Sequence, residues 1–243
     1  MPLLRSLLYT AIFYPATLLW VLSGLFGCLF SRRFTLAVVL SWAALNHWLV
    51  EHLLHIRVRV EGTVPEGQYL VAVKHQSMLE TLEMVPLTHL PVIVIKRELA
   101  DIPLFGWMTR CYGVIPVERS AGAKALRKLV EEGKRALATG RSVIIYPEGT
   151  RVPVGETPEL RSGFAALYRT LGLAVVPVAT DSGRAWGRGV VHRPGVVTLK
   201  VGDTIPAGLK RDEIEQRVHA AINALELAPE ARAQLLGGSD DAL

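Results

Sequence analysis

The chain has 243 residues, 50% of them hydrophobic, with a formal net charge of +5, a pI of about 9.4 and a mean hydropathy of +0.31. That length suits one α/β domain plus an appendage, and the hydropathy is high for a protein surrounded only by water. The basic balance does not read as nucleic-acid binding, because no Lys/Arg stripe is interleaved with stacking aromatics. Residues 1–50 contain Arg5, Arg32 and Arg33, no acid, and nine of the seventeen aromatic residues, so an anionic membrane surface is the expected partner.

In chain order, residues 7–30, "LLYTAIFYPATLLWVLSGLFGCLF", run without a charge between Arg5 and the Arg32, Arg33 pair. Such a stretch is long enough to span a bilayer. It exceeds the apolar core of a secretory signal and no small-x-small cleavage site follows, so it is expected to be retained. Residues 34–50, "FTLAVVLSWAALNHWLV", carry Asn46 and His47 and either complete a hairpin or lie in the interface. Arg32 and Arg33 in the link and Arg57 and Arg59 beyond the second stretch give the positive-inside rule little leverage on orientation. Cys28 and Cys111 form neither a disulfide framework nor metal-ligand spacing, which makes a reducing compartment the default.

Beyond His55 the pattern changes to short β-branched runs separated by helical stretches, the mark of βαβ units. Strands are predicted at "IRVRVEG", "YLVAVK", "PVIVIK", "GVIPVE", "SVIIYP", "LAVVPVAT" and "GVVTLKVG", and helices over 78–88, 121–139, 160–171 and 210–226. The expected fold is α/β, a mostly parallel or mixed sheet flanked by helices, with an N-terminal hydrophobic two-helix membrane segment. The expected divisions are 1–55 for that segment, 56–228 for the α/β domain and 229–243 for a frayed tail ending "GGSDDAL".

"VAVKHQSMLET", residues 71–81, places His75 just past a buried-type strand and Glu80 five positions later. Ligands of open α/β sheets bind outside the carboxyl ends of the strands, so this location suits chemistry. Positions five apart on one continuous helix do not face each other, so His75 meets Glu80 only if the helix starts between them. Ser77 and Glu80 form the S-x-x-E capping box, which starts the helix at Met78 and leaves His75 in the preceding loop. The plain alternative is that Glu80 caps the helix and does nothing else.

"SVIIYPEGTR", residues 142–151, is a buried strand ending in Pro147, Glu148, Gly149, Thr150 and Arg151. Backbone amides and a guanidinium at the carboxyl edge of a sheet suit a phosphate, although an ordinary turn with a surface arginine has the same composition. "GVIPVERS" ends another predicted strand at Glu118 and Arg119, "ELRSGF" sets Arg161 before a helix start, and "VVPVAT" contains Pro177.

Taken together, the His-x4-acid pair and the "GVIPVERS", "YPEGTR" and "VVPVA" blocks, in that order over roughly residues 70–180, resemble the glycerolipid acyltransferases, specifically the 1-acylglycerol-3-phosphate (lysophosphatidate) acyltransferases. The resemblance implies that His75 is a general base oriented by Glu80, that Arg119, Glu148, Gly149, Thr150 and Arg151 bind the acceptor phosphate, and that Lys74, Arg161 and Pro177 border the site. It also implies transfer of an acyl group from acyl-CoA or acyl carrier protein to a lysophospholipid at the cytoplasmic face of a membrane, the inner membrane in a bacterium. Neither cofactor nor metal is expected. An imidazole suits the base role because its ordinary pKa leaves it mostly neutral, yet basic, near pH 7. The family more often has Asp where this chain has Glu80, and a small polar residue where it has Lys74. Those departures leave open other acceptors (lysophosphatidylglycerol, lysophosphatidylethanolamine, a lyso-aminolipid) and a catalytically silent lipid-binding module.

A rival cluster, "HWLVEHLLH", puts His47, Glu51 and His55 on one helical face and resembles a single histidine box of membrane di-iron enzymes. Such enzymes need around eight ligating histidines, and this chain has seven in all. No GxxxxGK[ST], GxGxxG or GxSxG pattern is present, which removes support for nucleotide-dependent chemistry and a serine hydrolase.

Overall fold

The computed structural model describes residues 1–118 and 122–226. Two long helices lead, α1 (Pro2–Phe30) and α2 (Arg32–His52), joined at Ser31, whose side chain accepts a hydrogen bond from the Phe34 amide and caps α2. Strands β1 (Ile56–Glu61) and β2 (Leu70–Val73) follow, then α3 (Leu79–Leu87), β3 (Val92–Lys96), α4 (Arg97–Ala100), α5 (Phe105–Tyr112), β4 (Ile115–Val117), α6 (Gly122–Leu137), β5 (Val143–Ile145), α7 (Ser162–Leu171), β6 (Val175–Thr180), β7 (Gly195–Val201) and α8 (Arg211–Ile222). All seven strands expected from the sequence form, each end within two residues of its expected place. Helices α4 and α5 were not expected, because a one-turn helix and an eight-residue amphipathic one separated by "DIPL" leave too short a period to read.

The strands make one sheet in the order β1-β7-β6-β2-β5-β3-β4. Every neighbouring pair is parallel except β6 with β7, so the sheet is mixed. Residues alternate between its faces as a pleated strand requires. Leu70, Ala72, Val143, Ile145 and Val175 point to a core built with α6, α7 and α8, while Val71, Val73, Ile144, Val176 and Val178 point to a second core built with α1, α2, α3 and α5.

That second core gives the N-terminal helices a structural task. Val21 of α1 and Val39 and Ala43 of α2 pack with Met84, Ile93 and Met108 over the sheet. Close approach is achieved with glycine: a Cβ at Gly27 would lie 2.6 Å from Phe34 Cδ1, and one at Gly24 would lie 3.0 Å from Met108 side-chain atoms. Two polar contacts join the pair, Tyr9 Oη donating to Asn46 Oδ1 at 2.7 Å and Trp42 Nε1 donating to Thr17 Oγ1 at 2.9 Å. Both helices are long and apolar enough to cross a membrane by length and composition. The outward side of α1 exposes Leu4, Leu8, Leu18, Leu19, Phe26 and Phe30.

The two cysteines correct the expectation drawn from their spacing. Cys28, in the last turn of α1, and Cys111, in α5, form a disulfide with 6.0 Å between their Cα atoms. Eighty-three residues separate them in sequence, and only the packing of α1 on α5 brings them together.

Arg141 ties three elements at the edge of the sheet where β3 and β5 begin. Its Nε donates to the Leu90 carbonyl at 2.6 Å, Nη1 to that of Tyr112 at 2.7 Å and Nη2 to that of Pro91 at 2.7 Å, and the guanidinium lies 4.4 Å from the Tyr112 ring centre. The start of β3, the end of α5 and the start of β5 therefore move as one. Arg141→Ala is expected to lower unfolding stability by about 2–3 kcal/mol, and Arg141→Lys to recover little, since one ammonium cannot span three carbonyls. Thermal and denaturant unfolding check this; a wild-type midpoint in the alanine variant contradicts it.

Candidate active site

Four neighbouring parallel strands, β6, β2, β5 and β3, end on one edge of the sheet. That edge collects the segments after each strand: Lys74 to Ser77 after β2, Tyr146 to Arg151 after β5, and Asp181 to Arg184 after β6. In open α/β sheets this is where ligands bind.

His75 lies in the loop between β2 and α3, and its ring is 15% exposed. Nδ1 is 2.9 Å from Glu80 Oε1, and an ionised carboxylate only accepts, so Nδ1 carries the proton and Nε2 is the basic nitrogen. α3 begins at Leu79, so the break needed between the two residues is present, one position later than expected. The Ser77 hydroxyl accepts from the Leu79 amide at 3.0 Å while Glu80 Oε1 accepts from the Ser77 amide at 2.8 Å. Cap and pair therefore coexist on one carboxylate.

Glu80 is fully buried, and its two oxygens are saturated. Oε1 accepts from His75 Nδ1 and from the amides of Gln76 and Ser77, and Oε2 accepts from the Ser77 and Ser182 hydroxyls, both at 2.6 Å. Burial alone would raise its pKa, but the bonds from His75, Ser182 and Ser77 outweigh it and hold the carboxyl below its ordinary 4.5. Tyr146 packs on His75 with ring centres 4.4 Å apart. Neither Ser182 nor Tyr146 was singled out from the sequence. Each belongs to a different strand end, and only the sheet order makes them neighbours of His75.

The remaining expected residues divide. Lys74 points away from His75 across the strand, fully buried, with Nζ 2.5 Å from Asn223 Oδ1, 3.0 Å from the Glu156 carbonyl and 3.6 Å from Glu148 Oε1. It adds no open charge beside the imidazole. Glu148 also turns inward, accepting from the His75 amide at 3.2 Å. Burial is the largest influence on both partners: it lowers the Lys74 pKa and pushes the Glu148 carboxyl up to about 7 against the pull of Lys74. Gly149 has φ +72°, which the turn requires and which a side chain rarely adopts, and a Cβ there would press on Arg161 Cγ at 3.0 Å.

Gly149, Thr150 and Arg161 border a cavity of about 560 Å³ on the α6 and α7 side of the edge. Arg151 faces the opposite side. It shares a cavity of about 290 Å³ with His75, Tyr146, Met78, Leu82 and Trp42, and the next residue, Val152, donates its amide to the His75 carbonyl at 2.7 Å. Pro177 sits inside β6 rather than at its end, opposite Ala72 of β2, so it borders neither cavity. Arg119 lies outside the described residues. In the rival cluster, His47 Nδ1 is 2.9 Å from Glu83 Oε2 and His52 stacks on Trp48. Among the described residues no group of three or more His, Cys, Asp or Glu side chains is arranged to hold a metal.

A model of the protein family described as Acyltransferase matches residues 55–181, which hold both His75 and Arg151. The chain belongs to the acyltransferase family. This acyltransferase is 35% identical over 173 residues to a 1-acyl-sn-glycerol-3-phosphate acyltransferase of Pseudomonas aeruginosa, a match covering 70% of the chain and 67% of the relative. It is 27% identical over 205 residues to a lyso-ornithine lipid O-acyltransferase of the same organism, covering 73% of the chain and 76% of that relative. Some relatives from algae and plants are spanned over only 50% of their length. The crystal structure of the 1-acyl-sn-glycerophosphate (LPA) acyltransferase, PlsC, from Thermotoga maritima superposes with a TM-score of 0.73 over 94% of the chain and 99% of that structure, at 22% identity, and so shares the fold.

Because the folded-state pKa of Glu80 lies below 4.5, its ionised form stabilises the fold above pH 4.5, and that contribution is lost as pH falls from 4.5 through the folded-state value. Denaturant unfolding across that acidic window is expected to show a steep loss of stability in the wild-type chain and a shallower one in Glu80→Gln. Equal slopes contradict the assignment of the charge to Glu80.

Proposed function

We propose that this acyltransferase is a lysophospholipid acyltransferase, moving a fatty acyl group from acyl-CoA or acyl carrier protein to the sn-2 hydroxyl of 1-acylglycerol-3-phosphate to give phosphatidate. The observation that carries the reading is the His75 Nδ1 to Glu80 contact of 2.9 Å, with the carboxylate fully buried and the ring opening on a cavity that also holds Arg151.

In this reading His75 Nε2 takes the proton of the acceptor hydroxyl as the oxygen attacks the thioester carbonyl. The tetrahedral intermediate collapses, the C–S bond breaks, and the imidazolium returns its proton to the departing thiolate. Glu80 fixes the tautomer and steadies the imidazolium, much as the aspartate of a serine-protease triad does. No acyl-enzyme forms, and neither cofactor nor metal enters a step.

Arg151 binds the acceptor phosphate, with the backbone of Gly149 and Thr150 shaping its turn and Arg119 adding a second cation. Glu148, buried against Lys74 and the His75 amide, holds the loop bearing the base and does not touch the phosphate. The apolar walls of the smaller cavity, among them Trp42, Leu82 and Val85, take hydrocarbon. The exposed apolar side of α1, with Arg5, Arg32 and Arg33, meets an anionic membrane at its cytoplasmic face, the inner membrane in a bacterium.

A second reading is favoured by the likeness to the lyso-ornithine lipid enzyme, which extends over more of both chains than the likeness to the 1-acyl-sn-glycerol-3-phosphate enzyme. In it the acceptor is a lyso-aminolipid and the His75 chemistry is unchanged. A panel of lyso-acceptors assayed with one donor separates the two.

His75→Ala is expected to lower acyl transfer by about 10²- to 10⁴-fold, and Arg151→Ala to raise KM for a phosphate-bearing acceptor more than it lowers kcat. Activity surviving His75→Ala removes the mechanism, and an inactive wild-type chain that still binds acceptor turns the protein into a lipid-binding module.

A further inference from the structure

The carboxylate serving His75 sits on a longer arm than the aspartate the family more often carries, so it has one more rotatable bond to restrain. Its Oε1 is held locally by the amides of Gln76 and Ser77. Its Oε2 has no amide. It rests on two hydroxyls, and one of them, Ser77, is also engaged in accepting from the Leu79 amide.

The other is Ser182, 102 residues from Glu80 and wholly buried, with Oγ 2.6 Å from Oε2 and 3.0 Å from Ser77 Oγ. Its placement is built rather than incidental. The Ser182–Arg184 segment is a 3-10 turn directly after β6, and β6 pairs with β2, the strand that leads to His75. The Ser182 amide donates to Thr180 Oγ1 at 3.1 Å, and the Gly183 amide donates to Gln76 Oε1 at 3.0 Å. A Cβ at Gly183 would lie 2.8 Å from Val154 Cγ2 and 3.2 Å from Gln76 Cβ, so the turn is pressed onto the histidine loop. Farther along, Trp186 and His192 pack on Tyr9 of α1, and the His192 amide donates to Ser6 Oγ at 2.8 Å, which clamps the turn from its other side.

We propose that Ser182 is a positioning residue of the His75–Glu80 pair: its hydroxyl pins Oε2 and thereby keeps Oε1 on His75 Nδ1. The inference rests on the reading of His75 as general base. Ser182 touches neither acceptor nor donor, so its removal acts on the rate of the chemical step and not on acceptor binding.

The test compares Ser182→Ala and the near-isosteric but weakly donating Ser182→Cys with wild type and His75→Ala. Each is assayed for acyl transfer to 1-acylglycerol-3-phosphate in mixed micelles, with thermal unfolding as a control. Both Ser182 variants are expected to lose about tenfold in kcat, with acceptor KM within about twofold of wild type. The acidic limb of their pH–rate profiles should move to lower pH, because a carboxylate no longer held on Nδ1 stabilises the imidazolium less. Proton NMR of the His75 Nδ1–H in histidine-labelled protein should show its resonance displaced or broadened in both. If His75→Ala is inactive while both variants keep wild-type kcat, pH limb and resonance, the inference falls and the general-base reading stands. A rise in acceptor KM alongside a fall in kcat, with no movement of the limb, assigns Ser182 to site architecture and also overturns it. If His75→Ala retains activity, the general-base reading itself fails.

Discussion

A carboxylate taken out of water must recover from protein donors what solvation supplied, and Glu80 can remain ionised only because five hydrogen bonds converge on it. That requirement organises the surroundings. Two consecutive amides can reach one oxygen only if the chain from His75 to Ser77 is not yet helical, so α3 must start late. The second oxygen needs hydroxyls, and one of them has to come from another strand. An imidazole bonded to such a carboxylate is limited to one tautomer and one orientation, which are the properties a proton acceptor needs before substrate arrives.

The sheet supplies the convergence. With β6, β2 and β5 adjacent and parallel, their carboxyl ends open at the same level, and the segments after them are neighbours without long excursions. The two-residue period of a strand then separates neighbouring roles. Lys74 falls on one side, where Glu148, Asn223 and the Glu156 carbonyl hold its ammonium, and His75 falls on the other, over the apolar cavity. The motif around residues 147–151 is likewise divided: Glu148 inward, Gly149 and Thr150 toward one cavity, Arg151 toward the other. A block that is contiguous in sequence therefore contributes scaffold and surface in alternation.

The N-terminal helices have two faces with different physical tasks. One covers the sheet, buries Val21, Val39 and Ala43, and walls the cavity beside His75 with Trp20 and Trp42. The opposite face of α1 leaves leucines and phenylalanines uncovered. The polar atoms buried between α1 and α2 are largely paired with each other, as in Tyr9 with Asn46 and Trp42 with Thr17, so the layer can be apolar outside without leaving those groups unmatched. The Cys28–Cys111 disulfide and the contacts of Trp186 and His192 with Tyr9 hold that layer to the domain at both ends.

The α/β class, all seven strands, the two apolar helices and the pairing of His75 with Glu80 were legible in the sequence, because each depends on a local signal: β-branched runs, uncharged length, or a Ser-x-x-Glu cap that begins two residues after the histidine. The inward turn of Glu148, the burial of Lys74, the interior position of Pro177, the Cys28–Cys111 disulfide and the Ser182 hydroxyl were not. Each is a contact between residues far apart in the chain or a choice between two faces of a strand. Such choices follow from strand order and packing, in which the energy of burying a group depends on partners that no local window contains. The residues able to do chemistry are thus written along the chain, while their orientation is decided by what folds around them.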